Sequence, residues 1–109
     1  MLLQLEHMSH SKMKVIYGVD FGGTNLRVWL VDPITGKLLE KVLDVPMKDI
    51  LSNKELSNLL FSKISSGSEV GIGAAGNVDE ENLIIKEAPN SNIKGEITFA
   101  RDLAEKGSD

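Results

Sequence analysis

The feature that most constrains this chain is a pair of glycines between two short apolar segments. The first segment, residues 15–19 (Val-Ile-Tyr-Gly-Val), is rich in β-branched side chains, and the second, residues 26–31 (Leu-Arg-Val-Trp-Leu-Val), alternates between two faces. These patterns are typical of a buried strand and of a partly covered strand. Gly22 and Gly23 stand in the tight turn between them. The segment predicts a β-hairpin at the start of the globular part of the chain.

Turn and strand signals continue directly after this hairpin. Residues 32–36 (Asp-Pro-Ile-Thr-Gly) place Asp, Pro and Gly where a reversing turn needs them, and residues 37–45 predict a third strand that Pro46 ends. The three strands would form an antiparallel meander. The segment Ser52–Glu55 then matches a capping box, and the apolar residues at helical spacing after it predict a helix that ends near Gly67.

The second half of the chain predicts a return to the sheet. Residues 70–76 are apolar and small, as in a buried parallel strand, residues 83–85 suggest a brief strand, and residues 96–106 suggest a second helix. The predicted fold class is α/β, with a mixed sheet of about five strands and two main helices. Two helices leave part of such a sheet uncovered, so we expect a second lobe or a second copy of the chain to cover an exposed apolar face.

Composition favours one folded domain with small-molecule partners. We predict a flexible tail over residues 1–12 and a single lobe over residues 13–109. The net charge of −4 comes without any concentrated basic stretch, which argues against nucleic acid and against an anionic membrane surface as partners. The sequence has no cysteine, which suits the reducing cytoplasm where we expect the protein to act.

The hairpin sequence, which runs from Asp20 to Asn25, also suggests a chemical role. The glycines at Gly22 and Gly23 let backbone N–H groups face one concavity and let a phosphate approach them closely. Asp20 would repel that phosphate unless a magnesium ion lies between the two, and the Thr24 hydroxyl offers one more hydrogen bond. The alternative is a plain hairpin turn, in which Asp20 and Asn25 are present because such residues favour turns.

The string from Val19 to Val28 resembles the first phosphate motif of the hexokinase, glucokinase and ROK sugar kinases, which belong to the actin-like ATPase superfamily. The resemblance implies a lobe with the ribonuclease H-like (actin-like ATPase) fold, and ATP and Mg²⁺ as cofactors. It also implies that the terminal phosphates of ATP are held by Asp20, Gly22, Gly23, Thr24 and Asn25. In this resemblance Asp20 organises the magnesium ion.

Two further segments extend the resemblance to a sugar-binding side. Residues 71–79 are similar to the family's strand that ends in Pro-Gly, and residues 88–90 (Ala-Pro-Asn) are similar to the loop before its sugar-site helix. The resemblance implies that Gly76, Asn90 and Ser91 contact a sugar, whereas a plain Pro-Asn turn is the alternative for the loop. Alanine stands before Gly76 where these kinases usually carry proline, so the identity of the substrate stays open.

The resemblance as a whole implies the N-terminal lobe of an ATP-dependent, glucokinase-like hexose kinase. The family's catalytic aspartate, in an Asn-Asp segment on the next strand, is not found in this sequence, nor is the second lobe. We therefore predict no catalytic residue and no turnover by the isolated chain, and leave open whether it is an enzyme. Two alternatives remain: a lobe of a non-kinase actin-like ATPase or activator, and a non-catalytic domain that self-associates.

Overall fold

The computed structural model describes residues 2–4, 15–74, 76–88 and 91–107. In this part of the chain the elements are β1 (Leu2–Gln4), β2 (Ile16–Gly22), β3 (Asn25–Val31), β4 (Leu38–Pro46), α1 (Asn53–Phe61), β5 (Glu69–Ala74), β6 (Asn77–Asp79), β7 (Ile84–Glu87) and α2 (Phe99–Gly107). A single 3-10 turn, Met47–Asp49, follows β4. Strands β1 to β5 form one sheet in the order β1-β5-β2-β3-β4, and β6 pairs with β7 separately.

The meander and the parallel strand are found where the sequence predicts them. β2 pairs antiparallel with β3, and β3 pairs antiparallel with β4. β5 lies parallel to β2 on the other side, with Val19 opposite Ile72. Because β4 and β5 lie on opposite sides of the β2–β3 pair, the connection through α1 crosses one face of the sheet. The α/β class, with a mixed sheet and two helices, is confirmed.

The fifth strand of the sheet differs from the predicted one. The brief strand expected at residues 83–85 corresponds to β7, which pairs with β6 outside the main sheet. The edge position is taken instead by β1, antiparallel to β5. Residues 2–4, which belong to the predicted flexible tail over residues 1–12, thus form a strand. The reason is the unpaired edge of β5, whose free backbone groups can pair with any extended segment nearby. Residues 5–12 lie outside the described part, so the tail and the lobe over residues 13–109 stay predictions.

Both helices are shorter than predicted. α1 begins as the capping box requires, because the Glu55 N–H donates to the Ser52 Oγ at 3.1 Å. It ends well before Gly67, which instead adopts a positive φ of 84° in a turn. α2 begins later than predicted, because Ile97 is held in an extended conformation by two backbone hydrogen bonds with Ile85.

The core lies between one face of the sheet and both helices. Phe21 on β2 and Phe99 at the start of α2 are fully buried, with ring centroids 5.1 Å apart. The remaining large side chains that are essentially fully buried are Leu26, Val28, Leu56, Leu60, Val70, Ile85 and Ile97. Burial of each stabilises the fold by about 1.5–3 kcal/mol. Since strand and helix residues share one cluster, both helices pack on the same face of the sheet.

The opposite face of the sheet carries the residues that alternate with the core. Near the hairpin these residues are small or polar: Gly18, Asp20, Arg27 and Gly73. The most exposed large apolar side chains of the described residues are at the β3–β4 turn, at the start of β4 and before α1: Ile34, Leu38, Leu39 and Leu51. At the hairpin end of the sheet, strand alternation sends the large apolar residues to the core. Cover of an exposed apolar face by a second lobe or a second copy stays a prediction.

Candidate functional site

The hairpin turn consists of Gly23 and Thr24, since Gly22 still pairs with Asn25 across the last rung of the β2–β3 ladder. This places the turn one residue later than the predicted Gly22-Gly23 turn. Gly23 has a φ of +67°, and Thr24 does not have a positive φ. A positive φ at only the first central residue is the requirement of a type II′ hairpin, which favours glycine there. The turn geometry therefore explains Gly23.

The tip of the hairpin exposes hydrogen-bond donors. Gly23 and Thr24 are both exposed, and their backbone N–H groups make no hydrogen bond with other described residues. A Cβ built on Gly23 meets nothing within 4 Å, so the space above the tip is open. Two adjacent free N–H groups and a threonine hydroxyl form a surface on which an anion can be bound.

Asp20 lies beside this tip on the sheet face opposite the core. It is exposed, and it is in register with Arg27 on β3 and with Gly73 on β5. Its carboxylate has no hydrogen bond or ion pair within the described part of the chain. Gly73 adds no side chain next to it, so ligands can approach. A free carboxylate next to an anion-binding tip fits Mg²⁺, which one or two carboxylates hold together with waters and phosphate oxygens.

A cluster of hydrogen bonds centred on Asp44 connects the turn end of the hairpin to β4. The Asn25 Nδ2 donates to Asp44 Oδ1 at 2.6 Å, and the Arg27 Nε and Lys41 Nζ lie 3.3 Å and 2.8 Å from Asp44 Oδ2. These hydrogen bonds, that of Lys41 first and then those of Asn25 and Arg27, lower the pKa of Asp44 to about 2. Asn25 therefore points across the sheet to β4, and it positions the hairpin.

Sequence reasoning missed Asp44. The signal that could have found it is the register of β3 with β4, in which Arg27 faces Asp44 directly. That register is interrupted by two irregularities, next to Trp29 and next to Val31. Counting residues back from the turn therefore gives the wrong partner for Arg27, because each bulge shifts the pairing by one residue.

A chain of hydrogen bonds joins the hairpin to the loop after β7. The Met47 N–H donates to the Thr24 carbonyl oxygen at 2.9 Å, and the Asn92 Nδ2 donates to the carbonyl oxygen of Lys48 at 3.0 Å. Asn92 is adjacent to Ser91, a predicted sugar-binding residue. The 3-10 turn after β4 thus connects the two segments that the sequence associates with different ligands.

The predicted sugar-binding residues have different outcomes. Asn90 lies outside the described residues. Ser91 is half-buried, and its Oγ accepts a hydrogen bond from the Ile93 N–H at 3.0 Å, which leaves the hydroxyl proton free to be donated. Gly76 has a φ of +130°, and a Cβ there would lie 1.8 Å from the carbonyl oxygen of Glu87. The contact with Glu87 gives Gly76 a structural role at the β6–β7 pair.

The described residues contain no group of three or more His, Cys, Asp or Glu side chains arranged to hold a metal ion. Neither α1 nor α2 has the length and apolar character needed to cross a membrane, and the described part contains no other candidate span. The hairpin end of the sheet is therefore the best-formed candidate site in this part of the chain.

The fold and the hairpin together define a lobe of the α/β class with a mixed sheet. At one end of this sheet, the N–H groups of Gly23 and Thr24 and the carboxylate of Asp20 have no hydrogen-bond partner among the described residues. No family model matches the chain. A glucokinase from Thermotoga maritima is 33% identical over 103 residues, which cover 87% of this chain and 31% of that protein.

A solved structure agrees with this sequence match. It is a ROK family glucokinase from Streptomyces griseus in complex with glucose and AMPPNP, which is 26% identical and has a TM-score of 0.59. The match covers 84% of this chain and 30% of that one, so the chain spans about a third of the length of the glucokinases it matches. The resemblance is confirmed: the chain is similar in sequence to part of one glucokinase, and in sequence and fold to part of another, which belongs to the ROK family of sugar kinases.

Proposed function

We propose that the chain is the N-terminal lobe of an ATP-dependent hexose kinase, and that its hairpin holds the terminal phosphates of MgATP. The observation that carries this proposal is the pair of N–H groups at Gly23 and Thr24 beside the carboxylate of Asp20, none of which has a hydrogen-bond partner among the described residues. The Streptomyces griseus glucokinase contains an ATP analogue and glucose, which supports ATP as the donor and a hexose as the acceptor. Use of ATP also supports a cytoplasmic location.

Each hairpin residue has a distinct proposed task. The N–H groups of Gly23 and Thr24 donate to phosphate oxygens, and the Thr24 hydroxyl donates as well. Gly22 keeps the strand end free of a side chain, so that the phosphate can approach the backbone. Asn25 positions the hairpin through its hydrogen bond to Asp44. Fixed donors of this kind need no reorganisation when the charged ligand arrives.

Asp20 is the residue that would hold Mg²⁺. When bound, the ion neutralises phosphate charge as the phosphoryl group is transferred. Without the ion, the Asp20 carboxylate repels the phosphate, and the net charge of −4 adds to this repulsion. Binding of ATP to this chain should therefore depend on magnesium through Asp20.

The sugar side of the proposal rests on Ser91 and on the loop that precedes it. The Ser91 hydroxyl donates to none of the described residues, and the Asn92 side chain donates to the carbonyl oxygen of Lys48. We propose that the loop binds a hexose hydroxyl near the phosphate site. The catalytic base and the nucleotide-binding second lobe would come from sequence beyond the part that matches here, so the isolated chain should show no phosphoryl transfer.

Calorimetric titration of the chain with MgATP, with ATP in EDTA and with glucose tests the proposal. We expect MgATP to bind, and we expect Asp20→Asn to weaken MgATP binding about tenfold, whereas it should strengthen binding of ATP in EDTA, because it removes the carboxylate that repels the phosphate. Glu40→Gln is the matched control, because it makes the same change of charge at an exposed residue of β4 that pairs with Leu30, at the end of β3 away from the hairpin turn. Equal effects of the two substitutions, or no binding of MgATP, would refute the assignment.

A further inference from the structure

A surface pocket of about 430 Å³ adjoins the hairpin tip, and it is lined by Thr24, Asn25, Pro46 and Lys48. Thr24 and Asn25 belong to the hairpin, whereas Pro46 ends β4 and Lys48 lies in the 3-10 turn that follows. Of the described residues that line the pocket, the three besides Lys48 carry no charge. The pocket therefore places one lysine next to the free donors of the hairpin.

Lys48 differs from the other cations near the hairpin. Arg27 and Lys41 both form ion pairs with Asp44, which neutralises part of their charge. Lys48 is exposed, and its side chain has no ion pair or hydrogen bond with any residue that the structure describes. The carboxylate next to it in sequence, Asp49, lines a separate groove together with residues of α1. The ammonium group of Lys48 is thus available to an anion.

The backbone around Lys48 is held in place on both sides. The N–H of Met47, the residue before Lys48, donates to the Thr24 carbonyl oxygen. The carbonyl oxygen of Lys48 accepts from the Asn92 side chain at 3.0 Å. The Cα of Lys48 therefore keeps a fixed distance from the hairpin tip, although its side chain is long and exposed. Holding the backbone reduces the entropy that is lost when the side chain engages a ligand.

We infer that Lys48 binds a phosphoryl oxygen of a polyphosphate ligand in this pocket, and that it supplies a positive charge which the hairpin itself lacks. The inference rests on the proposed phosphate-binding function and extends it to a residue outside the hairpin motif. Lys48 acts as a binding residue that needs no magnesium. Its contribution should therefore be visible with a metal-free probe.

The probe is tripolyphosphate in EDTA, titrated calorimetrically into the full chain at low ionic strength. Lys48→Gln should weaken binding at least fivefold, whereas Lys48→Arg, which keeps the charge, should stay within twofold of the original protein. Lys63→Gln is the matched control, because Lys63 is exposed, does not line the pocket and makes the same change of net charge. Repeating the titrations in 0.5 M NaCl should shrink the effect of Lys48→Gln, since salt screens an exposed charge.

The outcomes separate this inference from the proposed function. If tripolyphosphate binds and Lys48→Gln behaves like Lys63→Gln, Lys48 is not part of the site, while the hairpin assignment stands. An effect of Lys48→Gln that does not shrink with salt, or that Lys48→Arg shares, indicates a structural effect and also refutes the inference. If MgATP binds but tripolyphosphate in EDTA does not, the inference of a magnesium-independent phosphate contact at Lys48 fails, while the proposed function stands. If the unsubstituted chain binds neither tripolyphosphate nor MgATP, both the inference and the proposed function fail.

Discussion

Replacing Gly76 by alanine should destabilise the protein far more than the same change at another glycine with a positive φ. Gly76 has a φ of +130°, and a Cβ there would lie 1.8 Å from the carbonyl oxygen of Glu87 and 2.9 Å from its carbonyl carbon. Backbone atoms cannot rotate away as the end of a flexible side chain can. The β6–β7 pair would therefore have to shift or open to admit one methyl group.

Two costs contribute to the expected loss of stability. An unfavourable backbone conformation costs about 1–3 kcal/mol, and forcing extra volume against packed backbone costs about 1–3 kcal/mol more. We therefore expect Gly76→Ala to lower the free energy of unfolding by about 2–6 kcal/mol. Gly36→Ala is the matched control, because Gly36 has a φ of +77° and nothing within 4 Å of an added Cβ. It should lose only about 1–2 kcal/mol.

Urea unfolding followed by the fluorescence of Trp29 measures both losses. Trp29 is the single tryptophan of the chain and is half-buried on β3, so its signal reports unfolding of the main sheet. The slope against urea must match among the variants for the midpoints to be compared as stabilities. If Gly76→Ala proves no more destabilising than Gly36→Ala, then the close approach of Glu87 to Gly76 does not determine which residue is tolerated there.

Three further predictions concern the cluster at Asp44, the core and the α1–α2 contact. The pKa of Asp44 is lowered to about 2, so the stabilising effect of its carboxylate should be complete above about pH 4 and be lost as the pH falls towards 2. The difference in urea midpoint between the original chain and Asp44→Asn should vanish over that range. Leu60→Ala, in the fully buried core, should cost about 2–5 kcal/mol in urea unfolding, whereas Leu51→Ala, at an exposed position, should cost under about 1 kcal/mol. The Asn53 side chain donates to the Glu96 carbonyl oxygen and accepts from the Thr98 N–H. Asn53→Ala should therefore lower the free energy of unfolding by about 1–3 kcal/mol and the thermal midpoint by several degrees, whereas Asn58→Ala on the same helix should not.

The parts of the fold that the sequence predicts well are set by neighbouring residues. The β2–β3 hairpin follows from a glycine pair between two apolar runs, and the start of α1 follows from the capping box at Ser52. In each case the residues that determine the geometry lie within a few positions of one another. Local patterns of this kind can be interpreted without knowing what packs against them.

The parts that sequence reasoning misses depend on contacts between distant segments. The pairing of β1 with β5 joins residues 2–4 to residues 69–71, and no local sequence pattern predicts this pairing. The late start of α2 has the same cause, because the bridge between Ile85 and Ile97 holds extended a residue that helical spacing would include. Long-range backbone pairing overrides local propensity in both places.

The residues of the candidate site also fall into a local group, which the sequence predicts, and a distant group, which it does not. The hairpin residues from Asp20 to Asn25 form one local motif, and the structure places them at one end of the sheet. Asp44 and Lys48 come to the hairpin from the far end of β4, through a register that contains bulges. Asn90 is outside the described residues, so its sugar-binding role stays a prediction.

The hydrogen bonds that run from Thr24 through Met47 and Lys48 to Asn92 have a thermodynamic consequence for the proposed kinase. A ligand that orders the hairpin also orders the loop beside Ser91, so part of the entropy loss for the second ligand is already incurred by the first. Binding energies at the two loops would then be coupled, and by linkage each ligand must raise the affinity for the other by the same factor. The side chain of Asn92, which lies in the loop of Ser91 but is not one of the proposed ligand-binding residues, would set the size of this cooperativity.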